Sequence, residues 1–181
     1  MNMNQDVEGR VSERGPGRAE LVVGIDDSAA SAAALRWAVA HSRATGLPLR
    51  LVHTWQLSAT ATAALANGAG EYLEAAAADA RARATRWVLD TLGGDAAQAR
   101  WVLEVHEGSP GPVLVARGHD AALLVVGTHE HTGIRRAVTG SVSHYVLSHV
   151  DVPVVAVPAP APEPAEPGGK DWAAVPVGPL L

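Results

Sequence analysis

Apolar residues fall along the chain in short β-branched runs, separated by longer stretches in which they recur every three or four positions. "AELVVGID" (19 to 26) reads as a strand ending at Asp26, and "SAASAAALRWAVAHSRATG" (28 to 46) as an alanine-rich helix that stops at Gly46, ahead of Pro48. A second strand follows in "LRLVHTW" (49 to 55), then a long helix in "EYLEAAAADARARATRWVLDTLGG" (71 to 94) closed by Gly93 and Gly94. "ARWVLEVH" (99 to 106) gives a third strand, and a third helix runs from near Ser109 to about Gly118, with Pro110 suited to its first turn. "AALLVVG" (121 to 127), "GSVSHYVLSHV" (140 to 150) and "VPVVAVP" (152 to 158) complete the pattern as strand, helix and strand. Five short strands alternating with helices predict an α/β fold with a mostly parallel sheet covered on both faces. Ligands of such sheets lie beyond the carboxyl ends of the strands, where strand order reverses. The residues following the strands are therefore the candidates: Asp26 to Ser28, Thr54 to Gln56, Glu107 to Ser109, and Gly127 onward.

Composition narrows the possibilities. The 181 residues are 48% hydrophobic and 18% charged, enough for one domain with a core, which must be built from Ala, Val and Leu because Phe is absent. A net charge of −5 without any basic block argues against nucleic acid as the main partner. The absence of cysteine removes disulfides, thiolate metal sites and cysteine nucleophiles. With neither a signal-peptide core nor a membrane-length apolar window, the expectation is a soluble cytoplasmic protein with no membrane partner. Residues 1 to 18 are polar and residues 159 to 181 rich in Pro and Ala; both are expected to be poorly ordered around a domain at 19 to 158. The apolar end "WAAVPVGPLL" offers itself for docking or simply forms a tail.

Candidate chemistry concentrates in "VVGTHEHTGIRRAVTGS" (125 to 141). A helix beginning at Gly140 presents the N–H groups of Gly140, Ser141 and Val142, with the Ser141 hydroxyl, to an anion; a Gly-Ser start is equally a good helix cap. There is no Walker A sequence and no GxGxxG after the first strand. His129, Glu130 and His131 are adjacent in a loop and do not make a metal site by themselves; His106 and His119 cannot be placed from sequence. Ser28, Ser109 and Ser141 each begin a helix without a nucleophile elbow, so catalysis is not expected beyond weak ATP hydrolysis.

"LVVGIDDSAASAAALRWAVAHSRATGLPLRLVHTW" and "LLVVGTHEHTGIRRAVTGSVSHYVLSHVDVPVVAVP" resemble the first and last segments of a universal stress protein domain, and the order of elements agrees over residues 19 to 158. The resemblance implies an open five-stranded parallel sheet of the Rossmann-like, adenine nucleotide alpha hydrolase-like type, in a single-domain member. Nucleotide-binding members of the family carry Gly-x2-Gly-x9-Gly-Ser/Thr after the fourth strand and an aspartate at the end of the first. By that resemblance Asp26 meets the nucleoside, Thr54 lines the base, and Gly127, Gly140 and Ser141 belong to the phosphate loop. Asp26, Asp27 and Ser28 are also a ready cap for the first helix.

The second motif glycine is replaced by Glu130. A non-glycine residue at positive φ costs roughly 1 kcal/mol. A carboxylate about 5 Å from a phosphate costs roughly 3 kcal/mol at an effective dielectric near 20. Uncompensated, Glu130 weakens polyphosphate binding about a hundredfold or more, at roughly 1.4 kcal/mol per factor of ten. Arg135 and Arg136 in the same loop offer compensation, as does a Mg²⁺ shared between Glu130 and the phosphates; a solvated charge cluster is the plainer account. Asp27 stands where many members have glycine and adds negative charge.

What the resemblance implies is a stress-response regulator or sensor binding ATP or AMP, not an enzyme, and a homodimer through the final strand (Val152 to Val157), unless the proline-rich tail shields that edge. The competing expectation is a nucleotide-free protein that recruits an unknown protein partner through its dimer surface or tail.

Overall fold

A computed structural model describes residues 20 to 57, 70 to 128 and 141 to 160. The central strand β1 (Leu21–Ile25) explains the architecture, because Leu21, Val22 and Val23 are wholly buried and point alternately to opposite faces. A strand apolar on both sides needs helices on both sides. On one face, α1 (Ala29–Thr45) and α2 (Gly70–Leu92) cover Leu21, Val23, Ile25, Leu51 and Leu103. On the other, α3 (Pro110–Gly118) and α4 (Ser141–His149) cover Val22, Val52, Leu124 and Val126.

The remaining strands are β2 (Leu49–Trp55), β3 (Trp101–Glu107), β4 (Leu123–Thr128) and β5 (Val154–Pro158). All pairings are parallel, in the order β3-β2-β1-β4-β5. The chain winds outward from β1 to β3, then returns through α3 to the other side of β1. Strand order therefore reverses between β1 and β4, which opens a crevice above their carboxyl ends.

Each helix sits where its small or branched residues repeat. Ala30, Ala34 and Ala38 form a buried row on α1, and Ala80, Ala84, Val88 and Leu92 a second row on α2. Ser28 caps α1 by accepting from the Ser31 N–H at 3.1 Å. Gly46 ends it at φ 76°, donating to the Ser42 carbonyl at 2.8 Å.

Several boundaries differ from expectation by one or two residues, three of them with a visible local cause or consequence. β1 closes at Ile25, so Asp26 lies in the turn beyond it, where its Oδ1 accepts from the Ser28 N–H at 2.9 Å. The glycines ending α2 lead into a 3₁₀ turn, Gly93–Ala97, held by the Trp101 indole donating to the Ala96 carbonyl at 3.1 Å. β5 begins at Val154 rather than Val152: its ladder with β4 opens at Leu124 opposite Val154, with the Leu124 N–H donating to the Pro153 carbonyl at 3.0 Å.

Candidate functional site

Above the reversal point lies a cleft of about 510 Å³, within the size range of small-molecule sites. The ends of the strands and the turns after them supply its floor: Gly24 and Ile25 from β1 with Asp26 just beyond, Val52, Thr54 and Trp55 from β2 with Gln56 just beyond, and Val126 and Gly127 from β4. Three helices begin at its wall. Ser28 and Ser31 come from the start of α1, Pro110 and Leu114 from α3, and Ser141, Val142 and Ser143 from α4. Helix N-termini carry partial positive charge and attract an anion by about 0.3–1 kcal/mol each at exposed sites.

The turn after β1 is locked from both sides. The Asp26 N–H donates to Ser31 Oγ at 2.9 Å, while its carboxylate accepts from Ser28 at 2.9 Å. Ser31 is buried on an alanine helix face and links the turn to the helix. Next to it, His53 Nδ1 donates to the last β1 carbonyl, that of Ile25, at 3.1 Å. Asp26 itself is exposed and lines the cleft.

Gly127 has a packing reason to be glycine. A Cβ there would stand 2.6 Å from the Ala30 carbonyl carbon and 2.7 Å from the Ser31 nitrogen. These are backbone atoms of the first turn of α1, so they cannot swing aside. The absent side chain lets α1 settle against β4 and brings Ser28 and Ser31 to the cleft.

Of the residues expected from sequence, Asp26, Thr54, Gly127, Ser141 and Val142 all line this one cleft. Glu130, Arg135, Arg136 and Gly140 lie outside the described residues. Ser31, Val52, Pro110, Leu114 and Ser143 line it without having been singled out. Ser31 reads in sequence as one more small residue of an alanine-rich helix, and Leu114 and Val52 as ordinary core, so none of the three carries a sign of its place. No cluster of metal-ligating side chains occurs among the described residues. No described helix is long and apolar enough to cross a membrane.

A five-stranded parallel sheet with a cleft at its reversal point defines an open α/β domain of the Rossmann-like class. The model of the universal stress protein family matches residues 18–158, and the chain belongs to that family. It is similar in fold to a universal stress protein from Archaeoglobus fulgidus, with 21% identity and a TM-score of 0.53, over 77% of this chain and 98% of the other. It is likewise similar to the universal stress protein UspA from Lactobacillus plantarum, with 19% identity and a TM-score of 0.54, over 77% and 97%. An A. fulgidus universal stress protein solved in complex with dAMP aligns at 21% identity and a TM-score of 0.51, over 77% and 97%. No curated protein sequence matches the chain.

Proposed function

We propose that this chain binds an adenine nucleotide, AMP or ATP, in the cleft between β1 and β4 and acts as a stress-response regulator or sensor. The observation that carries this reading is the order of groups across the cleft. From β2 through β1 to β4 and α4 come an aromatic and amide wall (Trp55, Gln56), a carboxylate (Asp26), then a serine-rich helix start (Ser141, Val142, Ser143). A nucleotide has the same sequence of chemistry: base, ribose hydroxyls, phosphate. Adjacent strands are about 4.8 Å apart, so β2 and β4 stand roughly 10 Å from one another, a span suited to a nucleoside phosphate. Asp26 then accepts from the ribose, and the α4 N-terminus meets the phosphate. The A. fulgidus relative in complex with dAMP supports the ligand class.

By the family motif Glu130 takes the place of a phosphate-loop glycine, and with ATP a Mg²⁺ shared between its carboxylate and the added phosphates is the arrangement that keeps the site working. Calorimetric titration with AMP, and with ATP with and without Mg²⁺, tests this beside Glu130→Gly. Micromolar AMP binding and Mg²⁺-dependent ATP binding are expected. Silence toward every adenine nucleotide by both proteins overturns the reading. The second reading, a nucleotide-free interaction protein, is favoured by one observation: Gly127 is required by the α1 contact whether or not a ligand binds. Binding by Glu130→Gly alone brings that reading forward.

Pairing of β5 with a second copy is proposed on its position. Among the described residues it is an edge strand bearing Val154, Val155, Ala156 and Val157, paired with β4 on one side.

A further inference from the structure

Ser109 departs from a local rule. It holds the N-cap of α3 in extended geometry (φ −72°, ψ 134°), where a serine ordinarily accepts from a helical N–H, yet it makes no side-chain cap bond. Ser28, in the same place on α1, does cap its own helix. The Ser109 hydroxyl instead accepts from Nε2 of Gln56, 3.1 Å away and 53 positions earlier in the chain. A second tie lies beside it: the Gly108 N–H donates to the Trp55 carbonyl at 2.9 Å, with Gly108 at φ 136°. The end of β2 is thereby fixed to the turn that enters α3, and Gln56 is held on the cleft wall although it is exposed. Departures from local preference concentrate where function requires them.

We propose, resting on the adenine-nucleotide reading above, that Gln56 is the side chain that selects the base and that Ser109 orients it. With its amide nitrogen engaged by Ser109, Gln56 offers its carbonyl oxygen to the ligand. That acceptor suits the 6-amino group of adenine and opposes the 6-oxo group of hypoxanthine or guanine. A site built around one polar contact rejects a ligand that leaves the contact unmet. Trp55 supplies the apolar and aromatic surface beside it. Ser109 acts through Gln56 and is a positioning residue.

The test compares AMP with IMP by calorimetry on the full chain. The wild type is expected to prefer AMP about tenfold, or roughly 1.4 kcal/mol. Gln56→Leu should bring the ratio close to one, chiefly by weakening AMP. Gln56→Glu keeps an acceptor and should retain the preference, which a merely structural role for Gln56 does not predict. Ser109→Ala frees the amide to turn and should admit IMP while leaving AMP binding within a few fold. Circular dichroism confirms that each variant is folded. A wild-type ratio in Gln56→Leu overturns the assignment alone, because AMP binding then stands. A wild type that binds neither ligand overturns the nucleotide reading and the assignment together.

Discussion

Gly127 and Gly24 both lie on the cleft floor, yet alanine should cost different amounts at the two positions. At Gly127 the new Cβ meets α1 backbone at 2.6 Å; at Gly24 it meets Leu114 Cδ1, the movable end of a side chain, at 2.8 Å. Overpacking that cannot relax costs about 1–3 kcal/mol. Gly127→Ala is therefore expected to lower the unfolding free energy by about 2 kcal/mol, and Gly24→Ala by under about 1 kcal/mol, in urea denaturation. Ser28→Ala removes the α1 cap and should cost about 1 kcal/mol in the same measurement. The strand ends, the helix start after Gly140 and the family motif were legible in the sequence, which is why Asp26, Thr54, Gly127, Ser141 and Val142 could be chosen and are found around one cleft. Ser31 and Leu114 were not, since their place in the cleft depends on how helices cross the sheet.

Among the elements, β2 and β3 carry the least ordinary contact. Arg50 is buried on the α3 side of β2, paired with Glu20 before β1 and with Glu104 Oε1 of β3 at 3.6 Å. Glu104 Oε2 also meets His106 Nε2 at 3.0 Å and Arg117 of α3 at 3.7 Å. Burial pushes the Glu104 carboxyl up, but the His106 hydrogen bond and the charges of Arg50 and Arg117 together hold it below its ordinary value of 4.5. Its folded-state value thus lies below the unfolded one. The carboxylate stabilises the fold above pH about 4.5, and that contribution is lost as the pH falls through the folded value. Glu104→Gln should lower stability at pH 7 and flatten the loss on acidification, read as urea midpoints across that range. Arg50→Ala takes a buried guanidinium away from the half-buried carboxylates of Glu20 and Glu104, the latter still meeting His106 and Arg117, and should cost about 1.5–3 kcal/mol. Sequence periodicity marked these strands but gave His106 no place, because its partners depend on strand register: His106 falls opposite Thr54 and Arg50 opposite Val102.

For the whole molecule, strand order was the part that hydrophobic pattern alone left open. Alternating runs predict a parallel sheet, but the side of β1 to which α3 returns is a choice between equally apolar neighbours. Here the family resemblance carried the expectation of an open five-stranded sheet, and the order β3-β2-β1-β4-β5 agrees with it. Because α1 covers one face and α3 and α4 the other, a ligand in the cleft touches both layers at once. On the proposed function, AMP at a hundred times its dissociation constant should stabilise the fold by about 2.7 kcal/mol, visible as a rise in Tm. Ala156 is exposed on the β5 edge. Ala156→Lys is expected to shift a β5-paired dimer to monomer in sedimentation while leaving AMP binding unchanged.

The contact of Gly127 with α1 has a consequence for how such chains are inherited. A lineage that abandons its nucleotide remains bound to this glycine, because losing it unseats a helix. Glu130 is the position at which this chain departs from the family motif, and it speaks to a change of ligand that Gly127 does not record. Counting motif glycines across descendants would then overstate how many still bind nucleotide, and the letters that vary are the ones that report the chemistry.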